Sequence, residues 1–288
     1  MEFGNVVTAM VTPFDAQGEI DFDKTDRLVE YLLDNGSDGL VVGGTTGESP
    51  TLTKEEKVSL FRHVAETVNG RVPVIAGTGS NDTAASIALT KEAESVGADG
   101  IMLVVPYYNK PNPEGLYRHF EAVANAANLP VMLYNVPGRT AVKMDADTII
   151  RLSKLENVVS VKEASGDLDQ VSKIIEQTAE DFSVYCGEDS ITLPMLSLGA
   201  NGVVSVASHI AGSKIQDMVH AYRSGDVRKA ASIHRKLLPL MNVLFDQPSP
   251  APVKTGLNMK GIDVGHVRLP LVGLTDLEKE SLKKLINN

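Results

Sequence analysis

The chain has 288 residues, 43% of them hydrophobic and 22% charged, which describes a soluble globular protein of the length usual for one α/β barrel. With 37 acidic against 27 basic residues, the net charge is −10. That argues against a general polyanion binder and leaves open a local basic pocket for a small anionic substrate. The one cysteine, Cys186, excludes an internal disulfide framework and fits a reducing compartment. The first five residues show no basic region leading into an apolar core, and no apolar run approaches the ~20 residues that span a bilayer. The expected location is the cytoplasm.

In chain order, residues 6–11 form a β-rich run ending at Pro13. Residues 23–35 follow a helical pattern, with Leu28 and Leu32, and Val29 and Leu33, four apart and Gly36 as the C-cap. Residues 39–43 read as a second, buried strand. Thr53 and Glu56 have the spacing of a capping box, and Val58, Phe61, Val64, Ala65 and Val68 continue that helix on one face. Further strands are expected at 72–76, 100–105, 130–134, 158–162, 183–186 and 202–206. Helices are expected at 84–96, from Pro113 to about 128, and at 147–155, 168–178 and around 193–198.

Eight strand–helix units with buried strands imply a parallel sheet, and eight that close on themselves make a (β/α)8 TIM barrel, an α/β fold. An open doubly wound sheet would need a Gly-rich phosphate loop after its first strand, where this chain has Thr12-Pro13-Phe14-Asp15. Past Gly225 the strand pattern stops. Residues 227–245, 253–259 and 277–286 read as helices, and Pro248-Ser249-Pro250-Ala251-Pro252 as an extended linker. The expected organisation is a barrel over 1–225 and a C-terminal helical appendage over 226–288, which offers little length for a core of its own.

Chemistry in such a barrel gathers where the strands end. The sixth strand runs through Val158, Val159, Ser160 and Val161 into Lys162. A lysine there can simply reach solvent as the strand ends; buried, it loses its charge and becomes a nucleophile for ketones, able to form a Schiff base. The second strand ends in Gly43-Gly44-Thr45-Thr46-Gly47-Glu48, either an ordinary turn or a cradle of N–H and hydroxyl donors for a small carboxylate. The fourth ends in Pro106-Tyr107-Tyr108-Asn109 and the fifth in Tyr134-Asn135-Val136-Pro137-Gly138-Arg139-Thr140. A tyrosine at these lips is a core aromatic with a wet hydroxyl or a proton relay beside an amine. Arg139 is a surface ion pair or a fork for a substrate carboxylate. The seventh strand gives Gly187-Glu188-Asp189. The six histidines show no zinc-site spacing, and there is no P-loop. Glu48, Glu163 and Glu188 read as structural rather than as metal ligands, so the scheme needs neither metal nor cofactor.

The strand-end residues Gly43-Gly44-Thr45-Thr46-Gly47-Glu48, Tyr134 to Thr140 and Val161-Lys162-Glu163-Ala164-Ser165 resemble those of the 4-hydroxy-tetrahydrodipicolinate synthases, also called dihydrodipicolinate synthases. The resemblance runs along essentially the whole chain. The lysine strand alone marks only the wider superfamily of pyruvate-dependent aldolases, which includes N-acetylneuraminate lyase, a sugar-acid aldolase using the same imine; the Thr-Thr pair and the Pro-Gly-Arg turn point to the synthases. The resemblance implies a carbon–oxygen lyase in diaminopimelate and lysine biosynthesis. Lys162 would form a Schiff base with pyruvate, whose carboxylate Thr45 and Thr46 would hold. Thr46, Tyr134 and Tyr108 would relay protons, Tyr108 from a neighbouring subunit. Arg139 would bind the carboxylate of L-aspartate 4-semialdehyde, and Gly187 and Val204 would give backbone contacts. A homo-oligomer follows, a homotetramer built as a dimer of dimers or a homodimer. Lysine-inhibited members carry an effector pocket at the subunit interface. This chain keeps Ser49, Asn81 and Tyr107 there but has Lys54, Lys57 and Ala85 at the other matching positions, which should repel a cationic amino acid.

Overall fold

Eight short runs of β-branched and apolar residues carry no polar alternation, so each must be covered on both faces. A computed structural model, which describes residues 2–286, covers them by closing the sheet. Strands β1 (Val6–Ala9), β2 (Gly39–Val42), β3 (Val74–Gly77), β4 (Gly100–Val104), β5 (Val131–Asn135), β6 (Val158–Glu163), β7 (Ser183–Cys186) and β8 (Gly202–Ser205) form one closed parallel barrel in sequence order. The seam is β1 against β8, with Val7 paired to Val204. Around it lie α1 (Phe22–Asp34), α2 (Lys54–Val68), α3 (Thr83–Ser95), α4 (Pro113–Ala124), the single turn α5 (Pro137–Thr140), α6 (Ala146–Leu152), α7 (Leu168–Gln177), α8 (Thr192–Ser197) and α9 (Ser208–Arg223). The C-terminal region supplies α10 (Val227–Val243), α11 (Ala251–Met259) and α12 (Asp276–Ile286). This is the expected TIM barrel with a C-terminal helical region; Met1 and the last two residues of the expected appendage, 287–288, lie outside the described residues.

Local signals account for most boundaries. The Thr53 hydroxyl accepts from the Glu56 N–H while the Glu56 carboxylate accepts from the Thr53 N–H, the reciprocal box that starts α2. Asp21, Asp82, Asn112, Asp145 and Asp167 cap α1, α3, α4, α6 and α7 through side-chain acceptors. Two expectations need refinement. The helix of the eighth strand–helix unit was given no bounds, and α9 supplies it. Its buried face carries Ser208, His209 and Gly212 beside Ile215, Met218 and Val219, so the apolar period is masked. The segment 248–252 is not extended to its end, because Ala251 and Pro252 already form the first turn of α11, where the missing proline N–H costs nothing.

The strands separate two apolar layers. Val7, Val41, Ile75, Met102, Met132, Tyr134, Tyr185 and Val204 fill the lumen. Leu40, Val42, Leu103, Leu133, Val161 and Val203 face the helices. Between β5 and β6 the register slips: Val131 pairs with Val158, but Met132 pairs with Ser160. The extra residue, Val159, is a bulge, and it reverses which residues of β6 face inward. Past it, Lys162 pairs with the lumen residue Tyr134, and Val161 faces the helices.

The loop after β2 is held by the far end of the chain. Lys254 of α11 donates from Nζ to Glu48 Oε1 at 2.9 Å and to the His266 carbonyl at 2.7 Å, with the side chains of Lys254 and Glu48 only 2% and 1% exposed. The Arg268 N–H donates to Glu48 Oε2 at 2.8 Å, and the Arg268 guanidinium reaches the Thr51 carbonyl and Glu56. The Lys254 ammonium and the Arg268 guanidinium lie 4.2 and 4.3 Å from the Phe14 ring centroid, a cation–π pair of contacts. Thr12 donates to the Gly47 carbonyl from below. Removing one partner of a buried ion pair strands the other charge, at about 3–5 kcal/mol. Lys254→Met should therefore lower the thermal melting point clearly. Adding Glu48→Gln should recover part of the loss; a double variant that melts lower still, by the sum of the two single losses, would show that the pair is not coupled.

Candidate active site

Lys162 stands at the C-terminal end of β6, 5% exposed, paired across the sheet with Tyr134 on one side and Tyr185 on the other. Its Nζ is 4.3 Å from the centroid of the Tyr134 ring. Burial brings the ammonium down to about 8; Asp189 draws it back up and Arg139 pushes it further down. About a tenth to a fifth of the amine is therefore neutral at pH 7 to 7.4, against less than about a thousandth for an unperturbed lysine. The same burial pushes the Tyr134 phenol up to about 12, against smaller opposing effects from Arg139 and from a hydrogen bond to the Thr45 side chain. Tyr134 is thus a protonated hydroxyl beside an amine that loses its proton near pH 8. The Cys186 thiol is likewise buried, pushed up to about 12, and hydrogen-bonded to the Glu188 carbonyl, so it packs as a small hydrophobe.

Against Tyr134 opens a cavity of about 380 Å³; Lys162 is not among its lining residues and meets it through the Tyr134 ring. Gly43, Gly44 and Thr45 after β2, Gly77 and Gly79 at β3, Tyr134 and Arg139 at β5, and Ser49, Ser80, Lys57 and Tyr107 farther out line it. No carboxylate is among the lining residues. Gly43, at φ +65°, turns the loop with its α-carbon against Phe61, where a Cβ would stand 2.8 Å from the ring. Gly187 is required by the lysine itself: a Cβ there would stand 2.7 Å from the Ala164 Cβ and 3.0 Å from the Lys162 Cγ. Val204 lies deeper, its side chain in the lumen cluster.

The structure gathers Lys162, Tyr134, Thr45 and Arg139 at one mouth. Arg139 sits on α5, exposed at the rim, and no ion pair is formed by it among the described residues, so the surface-pair reading does not apply. Of the two threonines, Thr45 lies near enough to the Tyr134 phenol to draw its pKa down slightly. Thr46 is buried next to Thr45. Tyr108 is not brought to Lys162 within the chain. It is 89% exposed and held at φ +72°, a strained backbone for a bulky residue. Asn81 and Asn109 hold that turn, Asn81 Nδ2 donating to the Tyr107 carbonyl and Asn109 Nδ2 to the Asn81 carbonyl. Of the two lysines expected to repel a cationic effector, Lys54 is ion-paired to Glu92. Lys57 has no ion-pair partner among the described residues, and burial lowers its pKa.

The three glutamates read as structural have separate partners. Glu48 holds Lys254, Glu188 accepts from Ser190, and Glu163 accepts from Asn135, Gln170 and the Ser165 N–H. Sequence reasoning missed two residues. Lys254 carried no signal, because its partner lies 206 positions away. Asp189 was seen at a strand end and given no part. In the structure it is 3% exposed and takes hydrogen bonds from the Val206 and Ala207 N–H groups at 3.0 and 2.9 Å and from the Ser205 hydroxyl; an acid two residues past a glycine at a barrel mouth was the available clue.

Comparison with known proteins points to the same family. The chain is 60% identical over its whole length to a curated 4-hydroxy-tetrahydrodipicolinate synthase 1 of Halalkalibacterium halodurans, covering 97% of that protein. It is also 60% identical to the 4-hydroxy-tetrahydrodipicolinate synthase of Bacillus subtilis, covering 99% of it. Its fold superposes with a TM-score of 0.99 on the crystal structure of dihydrodipicolinate synthase DapA-2 from Bacillus anthracis, at 56% identity and covering 100% of this chain and 99% of that one. A structure of the enzyme from Cyanidioschyzon merolae with lysine bound superposes at 0.97, with 47% identity, 99% of this chain and 97% of that one covered. The model of the dihydrodipicolinate synthetase family matches residues 2–288; with the lysine, tyrosine and threonine of the barrel mouth in place over that whole length, the chain belongs to this family.

Proposed function

We propose that this chain is a 4-hydroxy-tetrahydrodipicolinate synthase, condensing pyruvate with L-aspartate 4-semialdehyde in the cytoplasm, without metal or cofactor, on the way to diaminopimelate and lysine. The observation that carries the reading is the Lys162 amine, buried and drawn toward its neutral form, beside the protonated Tyr134 phenol. Membership of a family whose curated relatives bear that name supports it.

Each step then has a residue. Thr45 and Thr46, on a loop rich in outward N–H groups, hold the pyruvate carboxylate. The Lys162 nitrogen attacks the ketone carbon, and the ketone oxygen leaves as water, with Tyr134 and the two threonines passing protons. Loss of a proton from the methyl group gives an enamine, whose carbon attacks the aldehyde. Arg139, at the rim with its guanidinium unpaired, takes the carboxylate of that second substrate. The substrate amine then adds to the imine carbon, closes the ring and releases Lys162. Gly187 leaves room for the lysine stem, and Val204 gives the lumen floor its shape. Tyr108 points away from its own cavity, so its phenol serves the mouth of a neighbouring copy; the working form is a homo-oligomer, a dimer or a dimer of dimers.

The imine reading is tested by adding pyruvate and borohydride and mapping the adduct. The reaction should mark Lys162, and labelling should rise with pH toward a midpoint of about 8, since only the neutral amine attacks. Lys162→Ala should give no adduct and no product. Turnover of N-acetylmannosamine with pyruvate, in place of the semialdehyde, would overturn the assignment. The role of Tyr108 is separable. Lys162→Ala and Tyr108→Phe subunits should each be nearly inactive alone, and mixing them should restore up to about a quarter of parental activity if tyrosine and lysine act across an interface; no recovery in mixed oligomers would refute it. Finally, the unpaired Lys57 ammonium should keep out a cationic effector. Millimolar L-lysine is expected to leave the rate within a few tens of per cent of its uninhibited value, and strong inhibition would contradict this.

A further inference from the structure

Arg139 reaches the mouth from an exposed turn, and a guanidinium that must meet a substrate carboxylate needs its backbone fixed. Within the turn, the Arg139 and Thr140 N–H groups donate to the Val136 carbonyl, and the Thr140 hydroxyl donates to the Val142 carbonyl at 2.8 Å. The exposed part is tied outward by Lys143 Nζ, 2.6 Å from Asp167 Oδ2, with both side chains well exposed. A pair of that kind holds little.

The firm attachment lies at the two ends. Asn135, the last residue of β5, and Met144 are nine positions apart. The Asn135 side chain pairs with the Met144 backbone as a neighbouring strand would: Oδ1 accepts from the Met144 N–H and Nδ2 donates to the Met144 carbonyl, both at 3.0 Å. The second Nδ2 hydrogen goes to the Glu163 carboxylate, 2.9 Å from Oε2. Gln170 of α7 donates to the same Met144 carbonyl and to Glu163 Oε2, each at 3.1 Å, and the Ser165 N–H donates to Oε1 at 2.8 Å. All of Asn135, Met144, Glu163 and Gln170 are buried. Turning the Asn135 amide over would set its oxygen against a carboxylate and its NH2 against an N–H, so its partners fix its orientation. The Met144 side chain anchors that residue in the core; the amide sets the direction in which the chain enters it.

This cluster lies directly behind the reacting pair. Asn135 pairs with Glu163 across the sheet as Tyr134 pairs with Lys162, and adjacent residues of a strand face opposite ways. We infer that Asn135 is a positioning residue for the second substrate. By closing the turn over 136–143 onto Glu163 and Gln170, it fixes Arg139 relative to Lys162, and so the carboxylate anchor relative to the attacking enamine carbon. This rests on the synthase reading above, and goes beyond it in naming what holds the second-substrate site.

The test is steady-state kinetics of the intact enzyme, with each substrate varied, in Asn135→Ala, Arg139→Ala and the double variant. Asn135→Ala should lower kcat/KM for the semialdehyde about tenfold, mostly through KM, because a loosely held turn loses entropy when it closes on substrate. The KM for pyruvate, and borohydride trapping of pyruvate at Lys162, should stay within about twofold of the parent, because neither uses Arg139. With the semialdehyde, the double variant should be no slower than Arg139→Ala alone, since Asn135 acts through that residue. If Asn135→Ala does not fold, as judged by its melting curve, Gln170→Met takes its place. That variant removes one donor from the same carbonyl and carboxylate, and should lower kcat/KM for the semialdehyde about threefold. A folded variant with the parental kcat/KM for the semialdehyde would overturn the assignment while leaving the synthase reading intact. Equal losses for the two substrates, or fully additive losses in the double variant, would also overturn it, because the effect would then follow barrel packing rather than the turn. A parent that does not turn over the semialdehyde would sink both.

Discussion

The cost of holding charge in the barrel lumen is the constraint on which this structure depends. Lys162 and Tyr134 stand side by side in the lumen, with Cys186 buried on the helix side of the next strand, and burial pushes all three toward their neutral forms. For a phenol and a thiol that means protonation far past physiological pH. For an amine it means the opposite, a lone pair set free near physiological pH. One environment thus lowers the pKa of an amine and raises that of a phenol whose ring centroid is 4.3 Å from the amine nitrogen. The lining of the mouth agrees with this. Thr45, Arg139, Ser49, Ser80 and Lys57 offer donors or positive charge, and no lining residue is acidic, although the protein as a whole carries a charge of −10. Net charge describes the outer surface; the receptor is set by a few side chains at the strand ends.

That receptor is assembled from distant parts of the chain. The Thr45–Thr46 loop is followed by Glu48, and Glu48 finds its partners 206 and 220 residues later. The barrel closes only when β8 pairs with β1, and the last helices add the ion pair beneath the Thr45–Thr46 loop. A buried ion pair is a poor source of net stability. It is directional, however, and here it fixes a left-handed residue, Glu48 at φ +58°, two positions after Thr46. The C-terminal region therefore contributes to the mouth without placing a side chain in it.

Much of this was legible in the sequence, for physical reasons that can be named. The eight strands were visible because parallel strands covered on both faces read as short apolar runs. The capping box at Thr53 and Glu56 was visible because its parts lie three residues apart. Lys162, Tyr134 and Arg139 were visible because barrel chemistry sits at strand ends. The bounds of helix α9 were hidden by the polar and small residues on its buried face. Adjacency does not separate Thr45 from Thr46, since neighbouring loop residues point in different directions; in the fold Thr45 is the one that acts on the Tyr134 phenol and lines the cavity. Lys254 and Asp189 were hidden for a different reason: a surface lysine or aspartate has the same letter as a buried one, and the burial of each depends on elements far away in sequence.

The strand alternation shows how narrowly the chemistry is specified. Lys162 and Glu163 are adjacent, and a β-strand sends adjacent side chains to opposite faces. As built, the amine enters the lumen, and the carboxylate turns to the helix side, where Asn135, Gln170 and the Ser165 N–H satisfy it. The register slip at Val159 sets this choice. Had Met132 paired with Val159, continuing in step would have set Tyr134 opposite Val161, so Val161 and Glu163 would face inward and Lys162 outward. A carboxylate would then occupy the site where a ketone must be attacked, and an ammonium would lie among Leu133, Val184 and their apolar neighbours. Both groups would be buried without partners, at a cost of several kcal/mol each. The polar partners of Glu163 and the apolar pocket around the Lys162 stem thus support the same register from opposite faces of one strand, which is why a single inserted residue is enough to define where the reactive amine points.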